Sequence, residues 1–409
     1  MPRLPSWHRF PGRYTIVFGA LLLALFIIEQ INGRFWLNDF RVYYGAGAAL
    51  LSGDPLYGIA HGLDSGFFKY APVLALFYAP FSLLPYGLAA SVQYALIAYA
   101  FIDGSIRIDR LIRERFMQGK APNYWPLFLT ALVCVVHLHR ELHLGNINML
   151  LLWVLILALE KMINGRITFG AILLGLAILA KPHFVVLLPL LLVFGKFRSL
   201  TVSLITLIAG VIVPALFLGL TKTIALHGEW LNAMAEHNAA LIYTQGDDLR
   251  AVNTVYSFLH RGIFKYFMAP SNLEAYVLLL AIATFFGAGI LWMKSRMKDQ
   301  ETLFTMGFLI LVAMVPSITL TDTEHFLLAL PLIAYLVHHL VPRPDPKWLI
   351  WICVPILFAY GGNWEDALGA LSGRMNYYGV LGISNLGVIL LCSYLFVRSN
   401  QLESSVSKL

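Results

Sequence analysis

The chain has 409 residues, of which 59% are hydrophobic and 12% charged, with a net charge of +7 and a mean hydropathy of +0.74. Soluble domains carry about 25% charged residues, so the composition excludes an ordinary water-facing globule. The three cysteines, Cys134, Cys353 and Cys392, sit inside apolar runs, which excludes a disulfide framework or a cysteine-based zinc site.

Apolar runs long enough to cross a bilayer, about 17 to 25 residues, recur along the chain. Backbone groups in lipid must pair within their own segment, so these runs read as helices. The short alternating segments of a β-barrel are not seen. Met1 to Arg13 is basic and precedes a full-length apolar run with no small-residue cleavage site, which reads as a first span rather than a removed signal peptide. The predicted spans are 14–32, 86–106, 124–139, 146–161, 167–181, 183–195, 200–221, 275–293, 302–320, 325–341, 347–361 and 378–397. No repeat and no flexible linker divides them, so residues 1–409 read as one polytopic membrane domain.

Lys and Arg counts orient the spans. With both termini cytoplasmic, the short cytoplasmic segments hold about 19 of the 29 Lys and Arg residues. The run Arg107, Arg110, Arg113, Arg115, Lys120 is the strongest pin. It creates one conflict. Residues 70–84 and 86–106 are both apolar, and two full crossings would place that basic run outside. Residues 70–84 therefore read as a short or re-entrant element, giving about 12 spans, with 13 as the alternative.

The opposite face holds three long segments, 33–70, 223–274 and 361–377. A site needs polar groups converging in a cavity, and only this face has the material. In the first segment, Asp39 follows the first span closely and is flanked by Phe40, Tyr43 and Tyr44. Gly53-Asp54-Pro55 then ends a small-residue helix. A partly desolvated carboxylate beside aromatics becomes a better proton acceptor. The plain alternative is a helix cap within an aromatic belt. The aromatics Trp36, Tyr43, Tyr44, Trp230 and Trp364 could stack on a ligand, but membrane anchoring is the favoured reading.

The segment D-F-R-V-Y-Y-G-A-G-A-A-L-L-S-G-D-P-L-Y, which begins at Asp39, resembles the first outer loop of the polyprenol-phosphate-mannose-dependent mannosyltransferases of glycosyltransferase family 87. Later landmarks follow in the family's order. F-K-Y-A-P at 68–72 looks like the family's F-x-Y-P-P with Ala71 replacing a proline. L-P stands at 84–85. G-N-I-N at 145–148 looks like G-Q-x-N with Asn146 replacing glutamine. Lys181-Pro182, the basic turn Lys196 to Arg198 and N-T-V-Y-S-F-L-H-R at 253–261 complete the set. The resemblance covers about residues 14–340.

It implies a GT-C bundle, a polyprenyl phosphate sugar donor and transfer to an outer-face glycan or glycolipid. By motif match Asp39 is the general base, and attack opposite the leaving phosphate inverts configuration. Mannose is the expected sugar, and arabinofuranose or another pentose the runner-up. The expected setting is a bacterial inner membrane with the site on the periplasmic or extracellular side. Lys181, costly at a span end, is read as a phosphate contact. Arg261, beside His260 and Asn253, could clamp phosphate in a bidentate contact. His325 follows Thr321-Asp322-Thr323-Glu324, opens a span and could bind phosphate or relay a proton. Asn146, Asn148, Asn253, Tyr44 and Lys69 complete the donor-binding set, with capping of the following span as the alternative for the first two.

Arg140 with Glu141 reads as a local ion pair. His137, His139 and His143 invite a metal reading, but no family metal motif matches. No cofactor is required, although a divalent ion on the donor phosphate is conceivable. A transporter or flippase would place ionisable residues at mid-span in paired halves, whereas Glu29, Asp103 and Glu160 lie near span ends.

Overall fold

The computed structural model describes residues 10–63, 66–117, 124–243, 254–317, 322–341 and 347–406. Asn253, Lys120 and most of the basic N-terminal run lie outside the described residues. In chain order the helices are α1 (Phe10–Ile31), α2 (Asn38–Ser52), α3 (Pro72–Ser82), α4 (Tyr86–Phe116), α5 (Trp125–Val133), α6 (Val135–Leu144), α7 (Asn148–Ile163), α8 (Ile167–Ala180), α9 (Leu187–Val193), α10 (Phe197–Leu218) and α11 (Leu220–Tyr243). They continue as α12 (Val255–Gly262), α13 (Asn272–Arg296), α14 (Gln300–Met314), α15 (Leu330–Leu340), α16 (Trp348–Gly361), α17 (Glu365–Leu368), α18 (Ala370–Tyr377) and α19 (Val380–Val406). Among the described residues the one β contact is an isolated bridge between Ala60 and Phe67.

The protein is an all-α, multi-pass membrane protein. Among the described residues six helices are long and apolar enough to cross a bilayer, and α5 with α6 forms a seventh candidate bent by 58°. Shorter apolar helices cover Pro72–Ser82, Ile167–Ala180, Pro182–Val193 and Trp348–Gly361. Helix α3 has 11 residues, about 16 Å at the usual rise, which is half a hydrocarbon core. It is the short element expected of residues 70–84.

Three sequence expectations need revision. The run 124–139 is not one continuous helix but breaks at Cys134. There the backbone of Val133 is pressed by Gly361 of α16, where a Cβ would sit 1.9 Å from the Val133 carbonyl oxygen. Past the break, the His137 ring nitrogens lie 3.0 Å from the carbonyl oxygens of Thr323 and Tyr360, so tertiary contacts hold the bend. Residues 183–195 form a 3₁₀ segment (Pro182–Val186) before the seven-residue α9, because Pro182 cannot continue the ladder of α8. The outer segment 223–274 is not an extended loop, since its described residues are largely helical through α11 and α12.

The chain divides into two compact units. The first comprises Met1–Arg107, Leu138–Val185 and Gly195–His237; the second comprises Ile108–His137, Val186–Phe194 and Asn238–Leu409. In the first unit, α8 packs between α7 and α10. Asp103 and Glu160 do not stand alone there, since Arg107 bonds both at 2.5 and 2.7 Å and Trp153 donates to Asp103. In the second unit, every residue of α14 from Leu303 to Met314 is buried, as expected of a helix enclosed on all sides. Asp109 there accepts from Arg113 at 2.9 Å and lies 2.9 Å from His338 Nε2, which offsets the cost of a buried carboxylate.

Candidate active site

Helix α2 starts under strain. Leu37, which precedes it, has φ 44°, the one described non-glycine residue in the left-handed region, and it is buried. Leu37 is the cap and bonds no amide with its side chain, so Asp39 is a first-turn residue rather than the helix cap. The neighbouring Asn38 Oδ1 accepts from Leu63 N at 2.8 Å, which ties the following loop to the helix start. Gly53, with φ 84°, ends the helix where the sequence indicated.

Gly145 sets the other wall. It adopts φ 68°, and a Cβ there would meet Phe40 Cβ at 2.8 Å and Leu37 Cβ at 3.0 Å. A glycine is therefore required for the turn 145–148 to lie against the start of α2. The approach brings Asn146 Nδ2 to 2.6 Å from Asp39 Oδ2. The Asn146 oxygen accepts from Tyr43 Oη at 3.3 Å and from Ile147 N at 2.7 Å. Tyr43 in turn lies 3.0 Å from Tyr70 Oη and stacks on Tyr78 at 5.1 Å. Burial pushes the Tyr43 and Tyr70 phenols well above their ordinary range, and Asp39 adds to both shifts. Both are neutral hydroxyl partners at any physiological pH.

The turn's last residue faces a different partner. Asn148 is fully buried; its Nδ2 donates to Glu141 Oε2 at 2.9 Å and its Oδ1 accepts from Lys181 Nζ. Lys181 follows α8 in extended conformation because the residue before a proline is driven out of the helical region. Its side chain is only 6% exposed, so it does not snorkel freely to water. A carboxylate, two amides and an ammonium are thus joined through one four-residue turn. Asp39, Asn146, Asn148 and Lys181, named from the sequence, meet in the first unit.

Other expected residues lie elsewhere. Tyr44 points away from Asp39; its hydroxyl donates to Leu84 O at 2.8 Å and its ring meets Tyr86. Lys69 is half-buried, its carbonyl accepting from Trp230 Nε1 at 3.1 Å. Burial, then the Lys69 charge, push the His237 imidazole down to about 4. In the second unit, Arg261 is fully buried, donates to Tyr377 O at 2.6 Å and lies over the Tyr377 ring. His260 pairs with Glu274 at 3.1 Å. His325 lies in the 3₁₀ segment Thr323–Ala329 ahead of α15, not at the start of the α-helix, with Nδ1 3.5 Å from Glu324.

The sequence reading missed three groups. Glu141, read with Arg140 as a local ion pair, is fully buried and also accepts from Asn148 and Met149 N. It, and not Asn146 or Asn148, caps the second amide of α7. Tyr70 and Gln93, the latter donating to Gly145 O at 3.2 Å, had been read only as motif or span residues. Among the described residues no group of three or more His, Cys, Asp or Glu side chains could hold a metal ion.

A carboxylate–amide pair and an amide–ammonium pair, held by one turn of an integral membrane protein, make up the candidate site. The chain belongs to glycosyltransferase family 87, whose family model matches residues 67–322. The matched span contains Lys69, Asn146, Asn148, Lys181 and Arg261, while Asp39 precedes it and His325 follows it. The chain is also similar to an alpha-(1->3)-arabinofuranosyltransferase of Corynebacterium glutamicum, at 27% identity over 236 residues. That match covers 56% of this chain and spans about half, 55%, of the curated relative. The crystal structure of ArnT from Cupriavidus metallidurans bound to undecaprenyl phosphate aligns with 93% of this chain and 76% of that chain, with TM-score 0.40 and 14% identity.

Proposed function

We propose that the protein moves a sugar from a polyprenyl phosphate to a hydroxyl group of a glycan or glycolipid, inverting the anomeric centre, with Asp39 as general base. The observation that carries this reading is the Asn146–Asp39 bond in a network that also fixes Lys181. Asp39 takes the acceptor proton as that oxygen attacks the anomeric carbon. The bond from that carbon to the phosphate oxygen breaks, and the lipid phosphate leaves carrying the electron pair. Lys181 balances the charge that develops on it, a role in which a preorganised cation gains from exclusion of water.

Two sugars stand within this reading. The motif order favours mannose, and the named activity of the corynebacterial relative favours arabinofuranose. Arg261, His325, Asn253, Tyr44 and Lys69 belong to the proposal as donor contacts by charge and motif alone. The proposed topology keeps both termini cytoplasmic and Asp39 on the opposite face of a bacterial inner membrane. Labelling a tag in 107–123 from outside intact cells would overturn it.

Purified protein in nanodiscs, offered polyprenyl-phosphate mannose and polyprenyl-phosphate arabinofuranose with a range of acceptors, tests the chemistry. Wild type consumes one donor and Asp39→Asn does not. Failure of wild type with both donors, or normal turnover by Asp39→Asn, sinks the reading.

A further inference from the structure

Glu141 holds the turn 145–148 by both its backbone and its side chain. Its carbonyl oxygen accepts from Gly145 N at 2.9 Å and from Asn146 N at 3.2 Å. Its carboxylate accepts from Asn148 Nδ2 at 2.9 Å and from Met149 N at 2.8 Å. One residue thus bonds the first two residues of the turn, its last residue and the residue beyond. A carboxylate at the start of α7 is also favoured by the helix dipole. Burying it costs several kcal/mol, of which these charge-assisted bonds return a share.

An amide group such as Asn148 can turn over and exchange its oxygen for its nitrogen. Glu141 removes that choice. A carboxylate accepts only, so Asn148 must present Nδ2 to Glu141 and therefore Oδ1 to Lys181. With the amide reversed, an N–H would face the ammonium and an oxygen would face the carboxylate, two repulsive contacts at once.

We propose that Glu141 is a positioning residue that fixes the amide orientation of Asn148 and, through it, the place of the Lys181 ammonium that receives the donor phosphate. The phosphate part of this inference rests on the function proposed above; the amide and ammonium part does not.

Glu141→Gln is the sharpest test, because its amide preserves volume while restoring the choice of orientation at Asn148. Binding of polyprenyl phosphate in nanodiscs should weaken about tenfold, and KM for the sugar donor should rise while kcat changes less. The melting temperature should move far less than for Glu141→Ala. A double-mutant cycle with Lys181→Met should be non-additive, since the second change removes what the first displaces. The rate of reductive methylation of Lys181, read by peptide mass spectrometry without any donor, should rise several-fold in Glu141→Gln.

If Glu141→Gln does not fold, Asn148→Ala carries the same test, because it cuts the relay and leaves the Glu141 bonds to Gly145, Asn146 and Met149. Wild-type donor affinity and wild-type methylation in whichever variant folds overturn the proposal, as does an additive cycle. If wild type neither binds nor uses a lipid phosphate, the functional reading falls instead, and the methylation rate alone decides the role of Glu141.

Discussion

Two polar clusters, one in each unit, use similar residues in opposite ways. In the first unit the Asp39 and Asn146 side chains bond each other, as do those of Asn148 and Lys181, and the partners lie as much as 107 residues apart. In the second unit Arg261 donates to the main chain of Tyr377 and covers its ring, while His325 faces its own neighbour Glu324. Side chains that bond side chains can exchange a partner for a substrate group with small rearrangement. Arg261 is held by a carbonyl and a ring that come from a segment 116 residues further along the chain. The contrast is one of partner type, with side-chain pairs in the first unit and a backbone carbonyl and a ring in the second.

The largest effect that can break this comparison is at Asp39. Asp39→Asn keeps the shape and removes the base, and sugar transfer should fall by about a thousandfold. Thermal unfolding in detergent should stay close to wild type. A variant that unfolds early would make Asp39 a structural residue.

Next comes the pair Lys181→Met and Arg261→Lys. Lys181→Met should lower transfer roughly a hundredfold, as expected when a transition-state donor is lost. Arg261→Lys should act mainly on stability, by about 1–3 kcal/mol, through the lost bond to Tyr377 O. Equal losses of donor affinity in the two variants would erase the distinction between the clusters.

Gly145→Ala should destabilise by about 1–3 kcal/mol, because φ 68° and the 2.8 Å approach to Phe40 both resist a methyl group. Activity should fall with it, since the turn carrying Asn146 must withdraw from α2. Retained activity alongside a lowered melting temperature would separate the turn from the site. The smallest effect belongs to Tyr43→Phe, which deletes one hydroxyl bond to Asn146 and should cost about 1 kcal/mol, a few-fold in rate.

Much of this was legible in the sequence because it rests on local chemistry. Gly53-Asp54-Pro55 stops α2 by backbone preference alone, and Lys181 is displaced from its helix by the proline next to it. The limit on residues 70–84 followed from charge bias and proved to be a matter of length. Features set by distant contacts stayed hidden. The break at Cys134 depends on Gly361 and on carbonyls at 323 and 360, none of which local apolarity can report. The role of Glu141 at the turn stayed hidden because a local pair with the adjacent Arg140 already accounts for its charge. The available signal was spacing: an acid four residues before Gly145 and eight before Met149 can bond both ends of the intervening turn.

The long reach of the Asp39 contacts also orders biosynthesis. Asp39 leaves the ribosome 142 residues before Lys181 does. At synthesis rates of about 5–20 residues per second, roughly 7 to 30 s separate the two. Until Gly145 arrives to lie against Leu37 and Phe40, the strained start of α2 has no wall to hold it. The nascent chain therefore passes several spans before Asn146 can reach Asp39, and the Lys181–Asn148 bond forms only after the eighth helix has been made.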